Sequence, residues 1–391
     1  MIEVERGKPI WAAGIMTGTS MDGLDVATVL TDGYEISSLW NHFGPVDFTI
    51  EDQRIIAAAI KRARQSLDEP DALYFDMHER ESGEAFWDYF EDLYNVLDRR
   101  IEDVGFGTLP LDAIGVHGQT IAHAPDDGLT LQIYCPNRLM ELQEAPVVWD
   151  FRSEDIRAGG QGAPLAPFYH FALAKHIGAT EPVVFLNIGG VANITWVDPA
   201  KELPEEPGAL MAFDTGPGNA LVNDWIFQNT KCLVMDVDGA TASTGRIHRD
   251  RLKTNWGKDY LRKPGPKSLD RNDFHGVLAA MEGLSINDGA ATLTAFTADC
   301  VAESLRHMPS PPARWLVCGG GRHNKTMMQM LHDRLDAPVE PVEAVGLDGD
   351  MLEAQAFAYL AVRGLRGLPT SAPSTTGCRE PVSGGRISYP T

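Results

Sequence analysis

The run Gly14-Ile15-Met16-Thr17-Gly18-Thr19-Ser20-Met21-Asp22-Gly23-Leu24-Asp25 concentrates groups that could hold a phosphate and a hard cation. Gly18 and Gly23 let the main chain approach a ligand closely, and successive N–H groups in such a turn can cradle an anion. Thr17, Thr19 and Ser20 add hydroxyls, while Asp22 and Asp25 add oxygens of the kind magnesium takes. No Gly-Lys-Ser/Thr follows, so the run is not a Walker P-loop. A plain surface hairpin accounts for the stretch equally well. A second set of polar residues lies just past apolar runs. His117-Gly118-Gln119-Thr120 follows 113–116, Asp150-Phe151-Arg152 follows 146–149, and Asp155 with Gly159-Gly160-Gln161-Gly162 comes next. Open α/β sheets build ligand crevices from polar groups gathered beyond strand ends. For His117 and Gln119 the alternative is a loop whose polar groups satisfy one another.

The segments that must position these groups read as strands and helices in alternation. Apolar runs at 10–13 and 26–30 predict a β-hairpin whose polar tip is the first run. A helix is expected from residue 55. A longer amphipathic one is expected over 71–99, with Leu73, Phe75, Phe86, Phe90, Leu93 and Leu97 facing a core. Strands are expected at 113–116, 129–134 and 146–149, then a helix after Pro164 carrying Phe168, Leu173 and Ala174. At Pro182 the pattern restarts as strand 183–188, the turn Gly189-Gly190, and strand 191–197. The echo of the first hairpin predicts two α/β domains of similar plan facing each other, against a chance recurrence of hairpins.

Further polar turns mark the second half. Asp214 is expected just after a strand over 210–213 and near a helix N-terminus, where it could meet a ligand. Asp238-Gly239 begins a polar turn running to Gly245. Pro264-Gly265-Pro266-Lys267-Ser268 reads as an exposed basic loop, and a helix rich in Ala and Thr is expected over 288–307. A buried strand at 315–318 runs into Gly319-Gly320-Gly321, which suits either close approach of a flat or phosphorylated ligand or a tight packing turn. A last helix is expected over 350–365, and the Pro-, Ser-, Thr- and Gly-rich tail from Pro369 is expected to be irregular.

Composition narrows the function classes. At 391 residues, two or three domains are the prior, and 43% hydrophobic with 23% charged residues is the balance of a globular protein. A net charge of −22 argues against nucleic acid and against an anionic membrane surface as partners, because both demand clustered Lys and Arg. A phosphate-bearing ligand then needs local donors or a metal. The 5 cysteines (135, 232, 300, 318 and 378) are scattered and form no Cys-x-x-Cys, which predicts reduced thiols. Neither a signal pattern nor an apolar run of membrane-spanning length is present, so a cytoplasmic setting is expected.

Taken together the runs resemble the anhydro-N-acetylmuramic acid kinases, of the superfamily of acetate and sugar kinases, heat-shock chaperone ATPases and actin. The likeness rests on Gly18 to Gly23, His117 to Thr120, Asp150 to Arg152, 159–164, 187–193, 213–219, Pro266-Lys267-Ser268 and 318–321, in that order. It implies two similar actin-like (ribonuclease H-like) α/β domains with an interdomain active-site cleft. The first would comprise 1–165 plus 351–391, and the second 166–350. It further implies that ATP, magnesium and water open the 1,6-anhydro bridge of a small-molecule anhydrosugar and place phosphate on O6, giving N-acetylmuramic acid 6-phosphate in cell-wall recycling. Carried over by motif, Thr17, Gly18, Thr19, Ser20, Met21, Asp22, Gly23 and Leu24 would line the ATP phosphates, with Asp22 holding magnesium. Gly189, Gly190, Asp238, Gly239, Gly319, Gly320 and Gly321 would border the nucleotide. His117, Gln119, Thr120, Arg152, Gly160 and Gln161 would face the sugar, and Asp214 would be the general base. A homodimer is the assembly kept open. Two departures bear on the sugar more than on the reaction. Ser153-Glu154 follows Arg152 where more positive charge is expected for a lactyl carboxylate, and Leu269-Asp270 replaces Thr-Gly after the Lys-Ser pair. They keep a kinase for levoglucosan as the nearest alternative, with a nucleotide-switched binding protein of the superfamily as the alternative from another class.

Overall fold

A computed structural model describes residues 6–18, 21–40, 45–67, 83–106, 110–252, 258–269 and 273–390. Contacts divide the chain into two compact units, one of Met1–Tyr169, Glu353–Pro373 and Cys378–Thr391, the other of His170–Leu352 and Ser374–Gly377. The chain opens with strands β1 (Ile10–Met16), β2 (Gly23–Thr31), β3 (Ile36–Trp40) and β4 (Val46–Asp47), then helices α1 (Ile50–Leu67) and α2 (Gly83–Asp103). Strands β5 (Ala113–Val116), β6 (Gln119–Ala124), β7 (Leu129–Ile133) and β8 (Val147–Trp149) follow, with α3 (Pro136–Gln143) before β8 and α4 (Ser153–Arg157) after it. Helix α5 (Pro167–His176) leads to β9 (Val183–Ile188), β10 (Val191–Val197), β11 (Leu210–Pro217), β12 (Arg314–Cys318) and β13 (Val339–Pro341). Between β11 and β12 lie α6 (Ala220–Thr230), α7 (Ala240–Ser243), α8 (Lys258–Arg262) and α9 (Ile286–Glu303), and α10 (Lys325–His332) precedes β13. Helices α11 (Leu352–Leu365) and α12 (Pro373–Thr376) and strand β14 (Arg386–Ser388) finish the chain.

The two sheets share one plan. In the first, the order β14-β8-β5-β1-β2-β3 has β1, β2 and β3 antiparallel and β5 and β8 parallel to β1. In the second, β11-β10-β9-β12-β13 repeats it, with β9, β10 and β11 antiparallel and β12 and β13 parallel to β9. Each unit therefore starts with a hairpin, adds a third antiparallel strand on one side and two parallel strands on the other. This is the ribonuclease H-like order of actin-like domains, and the expected pair of similar α/β domains stands. Parallel strands need crossovers, and helices covering the sheet faces explain why β1, β5 and β9 are apolar on both sides.

Glycine sets how closely the covering helix lies in the first unit. Gly14 of β1 and Gly115 of β5 sit side by side in the parallel ladder. A Cβ on Gly14 would fall 1.8 Å from the Ala354 carbonyl oxygen, and one on Gly115 would fall 2.1 Å from that of Phe357. Helix α11 thus beds directly on main chain. The core on this unit's sheet includes Ile15, Val26, Ile114, Val116, Leu93 and Leu97, each worth roughly 1.5–3 kcal/mol of burial. Phe90, Leu93, Leu97 and Ile101 recur at helical spacing along α2. The stretch 71–82, with Leu73 and Phe75, and the Phe86 side chain lie outside the described residues.

The tail corrects an expectation. It is ordered: β14 pairs antiparallel with β8, and Thr370, Ser371, Thr375 and Thr376 are buried. Its hydroxyls are consumed locally, Thr370 accepting from the Gly384 N–H and Ser371 donating to Asp155. Composition marks such a stretch as polar, but polar groups pack well when each finds a partner. No helix among the described residues is long and apolar enough to cross a membrane.

Replacing Gly14 by Ala tests the close approach. Intrinsic propensity favours Ala over Gly in a strand by about 0.5–1 kcal/mol. The clash should reverse that sign and lower unfolding stability by about 2–4 kcal/mol in a urea melt. An unchanged or higher midpoint would contradict the packing.

Candidate functional site

In the first unit the hairpin tip divides into packed and open residues. Thr17 is 3% exposed and donates to the Gln119 Oε1 at 2.9 Å. Gln119 is itself wholly buried, and its amide donates to the Thr120 carbonyl at 3.3 Å. Both ends of that amide are thus engaged within the protein, and Gln119 fixes Thr17. A Cβ on Gly23 would meet the Val46 carbonyl at 2.5 Å, and Leu24 lies in the core. What faces outward is Gly18 in part and Asp22 fully: Met21 takes φ 57° and donates its N–H to the Gly18 carbonyl while its half-buried side chain packs against the core, and Asp22 is exposed. Thr19 and Ser20 lie outside the described residues.

His117 sits where β5 ends, its N–H on the Ile15 carbonyl and its ring 4.7 Å from that of Phe357. Arg152 brings Nε and Nη2 to 3.1 and 2.6 Å from the imidazole Nε2. Guanidinium nitrogens only donate, so Nε2 must accept and the ring proton resides on Nδ1. Burial and the Arg152 charge hold the His117 pKa well below its usual value, against the pull of the nearby Gly118 and Thr17 carbonyls. His117 is therefore a neutral hydrogen-bonding group rather than an acid. Its Nδ1 is buried and meets no acceptor in hydrogen-bond geometry. Burial likewise draws the Arg152 pKa down to about 10, opposed by the Glu353 and Asp155 carboxylates. Arg152 also donates to the Gly162 carbonyl at 2.8 Å.

The loop 159–162 is wrapped around Asp155. Its carboxylate accepts from the Gly162 N–H at 2.7 Å, and a Cβ on Gly160 would lie 2.2 Å from Asp155 Oδ2. Gly160 is thus glycine for packing. The side chain of Gln161 reaches Asp126 at 3.5 Å, and Thr120 accepts from Gln132 at 3.4 Å.

In the second unit Asp214 lies within a strand, not after one. Strand β11 continues to Pro217, with an irregularity opposite Ala192 and Asn193 that leaves Asp214 facing Asn193. A bulge of this kind re-aims a side chain without ending the ladder. Nor does Asp214 cap a helix: α6 begins six residues on, with Asn219 at its N-cap position. Its carboxylate accepts instead from the Leu269 N–H at 2.8 Å. Its own N–H donates to the Lys267 carbonyl at 3.0 Å, and the Tyr260 hydroxyl donates to its carbonyl at 2.7 Å. Burial raises the Asp214 pKa to about 7, against the Leu269 N–H and the Lys267 charge. A carboxylate poised there suits a general base at neutral pH.

The segment expected as an exposed basic loop is in fact the clasp on Asp214. Lys267 is 7% exposed, donating to the Tyr260 carbonyl at 2.9 Å and lying 4.5 Å from the centre of the Tyr260 ring. A lysine that follows Pro-Gly-Pro reads as solvated when only composition is visible. The aromatic residues that receive it, Phe213 on β11 and Tyr260 on α8, come from separate elements.

The remaining candidates also split between packing and openness. At Gly189-Gly190 the carbonyls are taken by the N–H groups of Asn219 and Gly218. Gly239 takes φ 71°, and a Cβ there would meet Asn324 Oδ1 at 2.1 Å, while exposed Asp238 pairs with Lys325. Asp236, missed in the sequence, organises that turn by accepting from the N–H groups of Thr241 and Ala242. Cβ atoms on Gly319 and Gly321 would strike Asn187 and Ile188 at 2.2 and 2.4 Å, but one on Gly320 would meet nothing nearer than 3.9 Å. Of the three glycines, Gly320 alone offers open main chain.

A raised carboxyl pKa costs stability, and the sign is testable. The folded chain holds the Asp214 proton to about pH 7 while the unfolded chain releases it near 3.8. Stability on this account is intact below pH 3.8 and falls as pH rises to 7. Asp214→Asn, which can still accept from Leu269, should be more stable than wild type at pH 8 by about 1–3 kcal/mol. The difference should vanish at pH 4. A variant less stable at pH 8 would contradict the burial of an ionised group.

A family model described as anhydro-N-acetylmuramic acid kinase matches residues 11–390. Relatives carry that name: the protein of Ruegeria sp. (strain TM1040) is 47% identical over 387 residues, covering 99% of this chain and 97% of its own. That of Rhodospirillum rubrum is 46% identical over 385 residues, covering 97% and 95%. Among solved structures, a ROK family glucokinase from Streptomyces griseus, in complex with glucose and AMPPNP, is 12% identical at a TM-score of 0.39, covering 90% of this chain and 99% of its own. That likeness adds nothing to what the strand order already says. The matched family span contains every candidate residue from Thr17 to Gly321, and the chain belongs to the anhydro-N-acetylmuramic acid kinase family.

Proposed function

We propose that the chain is an ATP-dependent kinase that opens the 1,6-anhydro bridge of 1,6-anhydro-N-acetylmuramic acid with water and phosphorylates O6, giving N-acetylmuramic acid 6-phosphate and ADP. The observation that carries the mechanism is Asp214, a half-buried carboxylate whose desolvation raises its pKa to about 7 and which is held by main chain on both sides. Water attacks the anomeric carbon as Asp214 takes its proton. The bond from that carbon to O6 breaks, and O6 attacks the γ-phosphorus as the bond to ADP breaks. Hydrolysis and transfer thus share one oxygen, and positioning with charge neutralisation supplies most of the catalysis.

Within each unit the residues take the following roles. Gly18, Met21 and Asp22 at the hairpin tip, with Thr17 held behind them by Gln119, receive the ATP phosphates. Thr19, Ser20, Gly23 and Leu24 belong to the same proposed site. An exposed carboxylate beside a glycine turn fits magnesium, which takes one or two carboxylates and completes its shell with phosphate and water. Held at Asp22, magnesium would neutralise phosphate charge. Gly189, Gly190, Asp238, Gly239 and the 319–321 turn border the nucleotide, with Gly320 giving the closest approach. Arg152 and His117 face the sugar, with Thr120, Gln119, Gly160 and Gln161 shaping that region. The boundaries 1–165 plus 351–391 and 166–350 remain part of the proposal.

The departures from the family pattern leave this chemistry intact. Glu154 pairs with Arg157 on α4 and Ser153 donates to Asp150, so neither opposes an anionic sugar at Arg152. Leu269 contributes its main-chain N–H, which any residue but proline supplies. The relatives are named for the muramic sugar, so levoglucosan recedes as the substrate, and a binding protein without transfer recedes with it.

The test is a sugar panel with ATP and magnesium, reading ADP release and product mass. The anhydro-muramic sugar should be turned over and reducing hexoses should not. In oxygen-18 water the label should enter the anomeric hydroxyl and not the phosphate. Asp214→Asn should lose turnover by a factor of about 100 or more while still binding ATP. Label in the phosphate would overturn the mechanism. Cytoplasmic residence and a homodimer belong to the same proposal. Exposed Phe227, Leu233, Val234, Met235 and Val237 give a dimer apolar surface to use. Sedimentation at two concentrations should show twice the chain mass, and a single-chain mass at both would remove the dimer.

A further inference from the structure

The glycine turn after β12 is held by a side chain of its own. Arg322 lies in the short turn Gly320–His323, and its side chain is buried. Its main-chain N–H and its Nη1 both donate to the Gly319 carbonyl, at 3.2 and 3.1 Å. The remaining nitrogens reach two carboxylates: Nε donates to Glu343 Oε1 at 2.8 Å, and Nη2 lies 2.7 Å from Asp350 Oδ2. Glu343 also accepts from the Gly349 N–H at 3.2 Å, and a Cβ on Gly349 would fall 2.5 Å from Arg322 Nε. Three segments thus close on one guanidinium: the 319–322 turn, the turn Val342–Val345 after β13, and the stretch just before α11. Successive glycines have the widest choice of torsions in a chain, so the direction of their peptide groups must be imposed from outside the run. In a planar trans peptide the carbonyl and the next N–H point opposite ways, so a Gly319 carbonyl pinned to Arg322 also sets the Gly320 N–H.

We infer that Arg322 is a positioning residue for the nucleotide: braced by Glu343 and Asp350, it fixes the Gly319 carbonyl and, through that peptide plane, the open main chain of Gly320. This rests on the reading of 319–321 as the border of the nucleotide. Arginine suits the role where lysine does not, because its planar fork carries five donors in fixed directions while an ammonium is a compact point charge. Charge-assisted hydrogen bonds are the stronger kind, and here they engage every nitrogen of the fork. The carboxylates keep their access to water, with side chains 45% exposed at Glu343 and 67% at Asp350. Replacing Arg322 therefore returns them to solvent and strands no buried charge, so the turn loosens while the fold holds.

The test is calorimetric titration of ADP with magnesium, a pair that is bound and not turned over, into wild type, Arg322→Gln, Arg322→Lys, Asp350→Asn and Gly320→Val, alongside the KM for the sugar. Arg322→Gln should raise the Kd for ADP by about tenfold, the scale of one hydrogen bond to a charged group, and leave the sugar KM within about twofold. Arg322→Lys keeps the charge and loses the fork, so its Kd should stay close to that of Arg322→Gln. Full rescue by lysine would mean that charge alone acts and would overturn the positioning role. Should Arg322→Gln fail to fold, Asp350→Asn carries the same reading through an exposed carboxylate, with a Kd raised by about threefold. An unchanged Kd in folded Arg322→Gln, or in Asp350→Asn where only that variant folds, overturns the inference. So does a loss that raises the sugar KM equally, the mark of general loosening. Gly320→Val separates the inference from the reading beneath it. A Cβ there meets nothing nearer than 3.9 Å, so the variant should fold while its bulk obstructs the nucleotide. If its Kd is unchanged, the reading of the turn falls and the inference with it. If its Kd rises while the Arg322 variants bind as wild type does, only the role of Arg322 falls.

Discussion

The desolvation of one carboxylate is the constraint around which the second unit is built. An ionised group taken out of water must be compensated by hydrogen bonds and charge or it takes up a proton. At Asp214 the compensation is partial: one main-chain N–H from Leu269 and the charge of Lys267 stand against burial, and burial wins by enough to bring the pKa to about 7. Full compensation would leave an ordinary carboxylate too weak to take a proton from water. With none it would stay protonated. The bulge in β11, the 264–269 loop and the rings of Phe213 and Tyr260 all serve that intermediate setting.

Close packing on main chain blurs the meaning of glycine. Gly14, Gly115, Gly216, Gly319 and Gly321 each leave no room for a Cβ against a helix, side chain or neighbouring strand. In the first unit β1 and β5, which lead to Thr17 and His117, are pressed on their main chain by α11. A substrate-binding group at such a strand end is rigid because its backbone has nowhere to go. This suits positioning, where small displacements are costly.

Much of the fold was legible because both hairpins and the parallel strands are continuous apolar runs bounded by glycine. Strands 113–116, 183–188 and 191–197 form where the apolar pattern put them. The end of β11 was not legible, since Asp-Thr-Gly-Pro reads as a turn and stays in the ladder only through pairing with β10. The tail and the 264–268 loop were misread for a shared reason: polarity in sequence does not tell a solvated group from one with a buried partner. Of the site, Asp214, His117 and Arg152 stood out by residue type and place. The tautomer of His117, the sequestration of Gln119 and the clasp of Lys267 depend on contacts between residues far apart in the chain. The glycine run 319–321 was legible only as an ambiguity, and its resolution, with Gly320 open and its neighbours packed, needed the positions of Asn187 and Ile188.

The central claim is that burial holds Asp214 near neutrality before any substrate arrives. Carbon-13 NMR of aspartate-labelled protein, with Asp214 assigned by its absence in Asp214→Asn, reads that carboxyl directly. Titrating the ligand-free chain should show one aspartate resonance changing with a midpoint about pH 7, far above the rest. A midpoint near 4 for Asp214 would contradict the account, because a carboxylate of ordinary acidity in that position would have neither the burial nor the basicity on which the mechanism depends.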